Sequence, residues 1–420
     1  MRHWFVFAIA TMGFLASAQD IAIVGARIEV GNGKVLDKGT ILIQGGKIVS
    51  IGKDIRVPTG VPQLEASGLF AYPGFVDGYS TKGLKLPAAP EAAPAPNVLT
   101  TAPATMWEMN RKGIRSRINA ADCLDLASMI PDAHKAGITS GLLAPGSGLA
   151  RGRTTFAYFT DEKVAAMPAA IELSFRGTGG GGGGGGAQST GYNYPGTLLG
   201  FTALLRQTLA DAKTYSMTPG VKEDLDLKGL VPLIKGEATG IVSVDTEPDI
   251  YRALKLSEEF GFPFAIAGGR DAYKRSGQLA KAGVPVLANI SIGSEPSTNA
   301  APDGPPKAIL EERKALWQER ALNVQKLIEA GVRVAFSSES SGFGDYLANI
   351  RTLIKLGLPK KEALRSMTSV PAQVFGMEKE VGSLEVGKLG NVVLMSGDFA
   401  DEKSIVKIVV VLGKKFEVAK

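Results

Sequence analysis

The sequence predicts an α/β fold with β-rich ends, and three observations carry that prediction. Between residues 73 and 378, helical stretches run into a glycine and then into a short apolar run. AHKAG leads into Thr139–Leu143, LKLSEEFGF into Phe264–Ile266, LAKAG into Val284–Leu287 and LIEAG into Val332–Phe336. Each step reads as a helix closed by glycine and followed by a buried strand. The second observation is the N-terminal alternation of Ile21, Ile23, Ile28 and Val30, followed by Thr40–Ile43 and Ile48–Ile51, with turns at Gly31-Asn32-Gly33 and Gly45-Gly46. Such alternation bounded by glycine predicts strands. The third is a matching C-terminal β segment, Val392–Met395 and Ile405–Leu412, closing at Gly413-Lys414-Lys415. Repeated helix-to-strand steps fit a barrel and a doubly wound open sheet equally well, and periodicity alone leaves both open.

Taken in order, the chain starts with an address. Met1-Arg2-His3 is a short cationic opening, Trp4–Leu15 is apolar, and Ala16-Ser17-Ala18 is an A-x-A cleavage signal. The apolar stretch is too short to span a bilayer, so residues 1–18 are expected to be a signal peptide, with Gln19 opening the mature chain and the protein periplasmic or secreted. No later stretch reaches 18 uninterrupted apolar residues, and no membrane span is expected. Residues 19–72 and 379–420 are assigned to a β module built from both ends, and 73–378 to the central α/β domain. Within it, Pro87–Pro103 reads as an extended Ala/Pro-rich loop. Gly179–Gly186 is a run of eight glycines inside a Gly-rich loop spanning 177–190. It lacks the following Lys-Ser/Thr that phosphate-cradling loops carry and reads as a loop.

Composition limits the chemistry. The 420 residues are 45% hydrophobic and 21% charged, as in a globular protein. A net charge of +6 is thinly spread, no run of five basic residues occurs, and nucleic acid is not an expected partner. The single cysteine, Cys123, forbids an intramolecular disulfide and a thiolate zinc site. It sits in AADCLDLASMI, which reads as an amphipathic helix with a buried structural thiol. There are two histidines, His3 and His134. His134 ends a helical stretch, PDAHKAG, where a cationic side chain suits the helix dipole. No GxSxG nucleophile elbow is present.

The most informative string is Tyr72–Thr81, YPGFVDGYST. It resembles the strand-1 motif PGFIDxHxH of the amidohydrolase superfamily. The opening residues 21–52 resemble that family's first β module. GSLEVGK at 382–388, with the apolar runs after it, resembles its closing module, although Asn391 stands where the family has Asp. LRSMTSVPAQVF at 364–375 and YNYPGTLLGFTALLRQ at 192–207 resemble further framework segments, the latter from the imidazolonepropionase/dipeptidase-like branch. The resemblance implies a (β/α)8 TIM-like barrel carrying a small β-sandwich formed from both chain ends, a hydrolase of non-peptide C–N bonds, and a zinc-activated water at the C-terminal mouth of the strands.

Every ligand position that the resemblance implies is altered. Tyr79 and Thr81 stand for the paired histidines of strand 1, Ser243 and Asp245 for the His-x-His or related pair of strand 5, Gly268 lies at the strand-6 position, and Glu339 stands in place of the strand-8 aspartate. The expectation is therefore a degenerate site without metal or other cofactor. It would bind a small molecule at the barrel mouth, form a homo-oligomer, or pair with a catalytic homologue. The alternative is a carboxylate-based hydrolase using Glu339 and Asp245 as acid and base, with or without a hard cation held by those two and Asp77.

Overall fold

The computed structural model describes residues 19–88, 113–162, 165–166, 170–176, 197–299, 304–339 and 342–418. The expected signal peptide, most of the Pro87–Pro103 loop, the Gly179–Gly186 run, Ser340 and Ser341 lie outside the described residues.

The strands in chain order are β1 (Ile21–Glu29), β2 (Val35–Gln44), β3 (Lys47–Gly52), β4 (Gln63–Glu65), β5 (Phe70–Pro73), β6 (Phe75–Ser80), β7 (Ile138–Leu143), β8 (Ala150–Arg153) and β9 (Thr155–Tyr158). They continue as β10 (Ala165–Ala166), β11 (Ala170–Ser174), β12 (Thr239–Val244), β13 (Phe264–Gly268), β14 (Val286–Asn289), β15 (Val334–Ser337), β16 (Val392–Met395), β17 (Val406–Val411) and β18 (Lys414–Glu417).

Both chain ends meet in one sheet, ordered β18-β17-β16-β5-β1-β2-β3, with β4 beside β1. The junction is antiparallel, Val393 opposite Tyr72 and Leu394 opposite Ala71. Apolar side chains drive it: Ile23, Ile28, Ile41, Ile43, Leu384, Val392, Leu394 and Val410 are all buried in one cluster. Each such burial contributes roughly 1.5–3 kcal/mol.

In the central domain β6 and β7 run parallel, and β11 through β15 form an all-parallel ladder. Helices at Glu247–Phe260 and Ser276–Ala282 separate successive strands, each ending on a left-handed glycine, Gly261 and Gly283. The helix–glycine–strand reading of the sequence is thus realised. Between β7 and β11 the pattern changes. β9 runs antiparallel to β7 and β8 antiparallel to β11, with no helix between them in the described residues. The cause is local: Ala144–Arg153 is punctuated by Gly146, Gly148 and Gly152, all at positive φ, which turn the chain sharply where a crossover helix would need regular backbone. At the other edge β6 packs against β15. A Cβ on Gly78 would lie 2.8 Å from the Phe336 carbonyl oxygen, so only glycine permits that approach.

One sequence expectation needs correction. Cys123 does not lie on an amphipathic helix: Ala120–Cys123 is a single 3-10 turn capped by Asn119, and the thiol is half-buried. His134 does lie in the last turn of its helix, Ile130–Lys135, and the structure adds the surroundings of the ring. It is buried, its Nε2 lies 2.8 Å from the Phe159 carbonyl oxygen, and its ring packs on Phe416. Burial lowers its pKa, which favours the neutral ring.

Candidate functional site

The residues singled out from the sequence lie at the C-terminal ends of the parallel strands, where barrel-type α/β domains place their chemistry. All six residues of β6 are buried. Asp77 points inward and is fully buried. Its carboxyl accepts from the Ser338 backbone N–H at 2.9 Å, from the Ser338 hydroxyl, and from the Tyr79 N–H at 3.3 Å. Ser337 donates through Oγ to the Tyr79 carbonyl at 2.8 Å. These bonds tie the end of β6 to the end of β15. Burial outweighs the hydrogen bonds and pushes the Asp77 pKa up to about 7. Asp77 is therefore a strand tie, not a free ligand.

Tyr79 is also buried, and its hydroxyl donates to Glu172 Oε1 at 2.5 Å. Glu172, on β11, is the centre of the site. It is fully buried and bonded on both oxygens: Arg151 Nη1 donates to Oε1 at 2.6 Å and the Gly146 N–H donates to Oε2 at 2.8 Å. Arg151, on β8, is fixed by a second bond from Nε to the Gly148 carbonyl at 2.9 Å. Burial and the Glu172 charge hold the Tyr79 phenol well above its usual pKa, so it stays a donor.

Thr81 and Glu339 form a second closed unit. The Thr81 N–H donates to Glu339 Oε2 at 2.9 Å and the Thr81 hydroxyl contacts both carboxylate oxygens at 3.0 Å. Glu339 lies at the exposed rim, but desolvation of its carboxyl still raises its pKa. The Gly146 backbone covers Thr81 closely: a Cβ on Gly146 would fall 2.4 Å from Thr81 Cγ2.

Ser243 and Asp245 occupy the end of β12 and are half-buried. Asp245 Oδ1 accepts from the Arg270 N–H at 3.3 Å and lies 2.7 Å from where a Cβ on Gly268 would sit. Gly268 is at φ +97°, so the residue at this position is glycine for two independent reasons. A ring at 268 has no room beside Asp245. No hydrogen bond or ion pair joins Asp245 to Glu339 among the described residues, and the two do not form a unit. Nearby Asp271 is held by Arg320, Nε to Oδ1 at 2.8 Å.

The donor set does not fit a zinc ion. The ligand positions carry a phenol, two hydroxyls, a glycine and two carboxylates that, among the described residues, are not joined into one unit. Asp77 and Glu172 are occupied by donors from the protein itself, and Glu339 by Thr81. Among the described residues no group of three or more His, Cys, Asp or Glu side chains is placed to hold a metal. Sequence reasoning missed Glu172 and Arg151. The available signal was a carboxylate inside the apolar run Ala170–Ser174, a strand that otherwise reads as core.

The comparisons agree with this architecture. The Amidohydrolase family profile matches residues 311–420. An N-acyl-D-aspartate deacylase of Alcaligenes xylosoxydans xylosoxydans is 34% identical over 85 residues, 20% of this chain and 17% of that protein. An imidazolonepropionase of Symbiobacterium thermophilum is 44% identical over 77 residues, 17% of this chain and 18% of that protein. These matches therefore span less than a fifth of either relative's length. An amidohydrolase structure from Thermotoga maritima MSB8 superposes with a TM-score of 0.74 at 23% identity, over 94% of this chain and 100% of that one, a likeness of fold. Residues 311–420 are thus amidohydrolase-like in sequence, and the chain as a whole is amidohydrolase-like in fold.

Proposed function

We propose that this chain is a catalytically degenerate superfamily member, of the imidazolonepropionase/dipeptidase-like branch, exported after cleavage behind Ala18. Its role is to bind a small molecule at the strand mouth or to serve as a partner subunit, by self-association or beside a catalytic homologue, without turnover of its own. We read the central strands as a (β/α)8 barrel and the end sheet as folded over into the small sandwich. One observation carries the functional reading: the polar groups at the mouth are satisfied by one another. Glu172 accepts from Tyr79, Arg151 and Gly146, and Glu339 accepts from the Thr81 N–H and hydroxyl. A general base must be free to take a proton from water or substrate, and a metal ligand must have an open lone pair.

The test is activity of the purified chain on a panel of amides, dipeptides and lactams, with added zinc and with chelator. The expected result is no turnover above background in either condition. Turnover abolished by Glu339→Gln with an unchanged melting temperature would instead establish the carboxylate-based hydrolase.

A further inference from the structure

Resting on the reading of the mouth as metal-free, we infer that Arg151 is the resident cation of this site: its guanidinium neutralises Glu172 where an ion would otherwise be required, and so shuts divalent metal out. Three observations carry this. Glu172 has no exposed side-chain surface, so its charge cannot be left to solvent. Arg151 is also largely enclosed, with 12% of its side chain exposed, and among the described residues it makes the one ion pair that Glu172 has. Tyr79, which stands at a metal-ligand position of the resemblance, bonds to the same oxygen of Glu172 that Arg151 does. The guanidinium is thus joined to a ligand position through one shared carboxylate oxygen.

Glu339 belongs to the same field. Glu172 raises its pKa and Arg151 lowers it, so all three groups feel one another. The guanidinium cancels one of the two carboxylate charges and, anchored on the Gly148 carbonyl, opposes the approach of a doubly charged ion. An imidazole supplied at position 79 is therefore not expected to restore binding while Arg151 remains.

The experiment puts the two explanations against each other in the full chain. Zinc binding is measured by equilibrium dialysis with elemental analysis, and by the shift in melting temperature on adding zinc. The variants are Tyr79→His, Tyr79→His/Arg151→Lys, Tyr79→His/Arg151→Met, and the last with Glu172→Gln added. Tyr79→His alone and Tyr79→His/Arg151→Lys are expected to stay zinc-free. Tyr79→His/Arg151→Met should take up zinc about tenfold or more tightly than either and be stabilised by it, with the new imidazole, Glu172 and Glu339 as donors. Adding Glu172→Gln should abolish the gain. Equal zinc binding by Tyr79→His with Arg151 intact would overturn the inference. So would a Tyr79→His/Arg151→Met protein that binds no zinc, or one that fails to fold with zinc present. Turnover by the wild-type chain would sink the proposed function while leaving this comparison of variants readable on its own.

Discussion

Asp77 shows how a single residue sets a pH response. Its ordinary carboxyl pKa is near 3.8, and burial raises it to about 7 in the folded chain. As pH rises above 4 the unfolded chain loses this proton first, and the native state keeps it until about pH 7. The stability from the protonated form is therefore complete below pH 4 and lost progressively up to pH 7. At about 1.4 kcal/mol per unit, the loss is on the order of 4 kcal/mol. Asp77→Asn should flatten that slope, which urea unfolding between pH 4 and 8 would reveal. An unchanged slope would place the titration elsewhere. Glycine 268 makes the complementary case. Gly268→Ala should destabilise by about 1–3 kcal/mol, from left-handed strain and from contact with Asp245, measurable by the same unfolding assay. A neutral substitution would mean that β13 can reshape its end, and that a ring there was never excluded.

At the scale of elements, the helix-to-strand steps were legible because helix ends and buried strands both leave short-range marks: Gly261 and Gly283 close their helices in the left-handed conformation that the text predicts. The β8–β9 turn-back was not legible. Nothing local in Ala150–Tyr158 says which strand each half will pair with, since β8 joins β11 and β9 joins β7. Partnering is decided by tertiary packing. The same limit hid the site. Tyr79 and Thr81 were visible as replacements within a motif, whereas Glu172 and Arg151 acquire meaning only when β6, β8 and β11 converge. Glu339 and Asp245 were readable as strand-end carboxylates, yet spacing could not show that they have separate partners. The end sheet offers its own test. Leu394 is fully buried between the two chain ends, so Leu394→Ala should cost about 2–5 kcal/mol and lower the melting temperature. A loss under 1 kcal/mol would mean the ends pack loosely.

For the whole molecule, apolar burial holds β5 between β1 and β16 and the parallel strands side by side. Among the described residues no helix is long and apolar enough to cross a membrane. If residues 1–18 are a cleaved signal, intact mass of the protein recovered from the periplasm or medium should correspond to a chain starting at Gln19. Retention of Met1 in exported protein would contradict that.

The most direct measurement is the metal content of the purified wild-type chain, with hydrolytic activity assayed before and after chelation. The self-satisfied mouth predicts far less than one zinc per chain and no chelator-sensitive turnover. Stoichiometric zinc, lost together with activity on chelation, would contradict it.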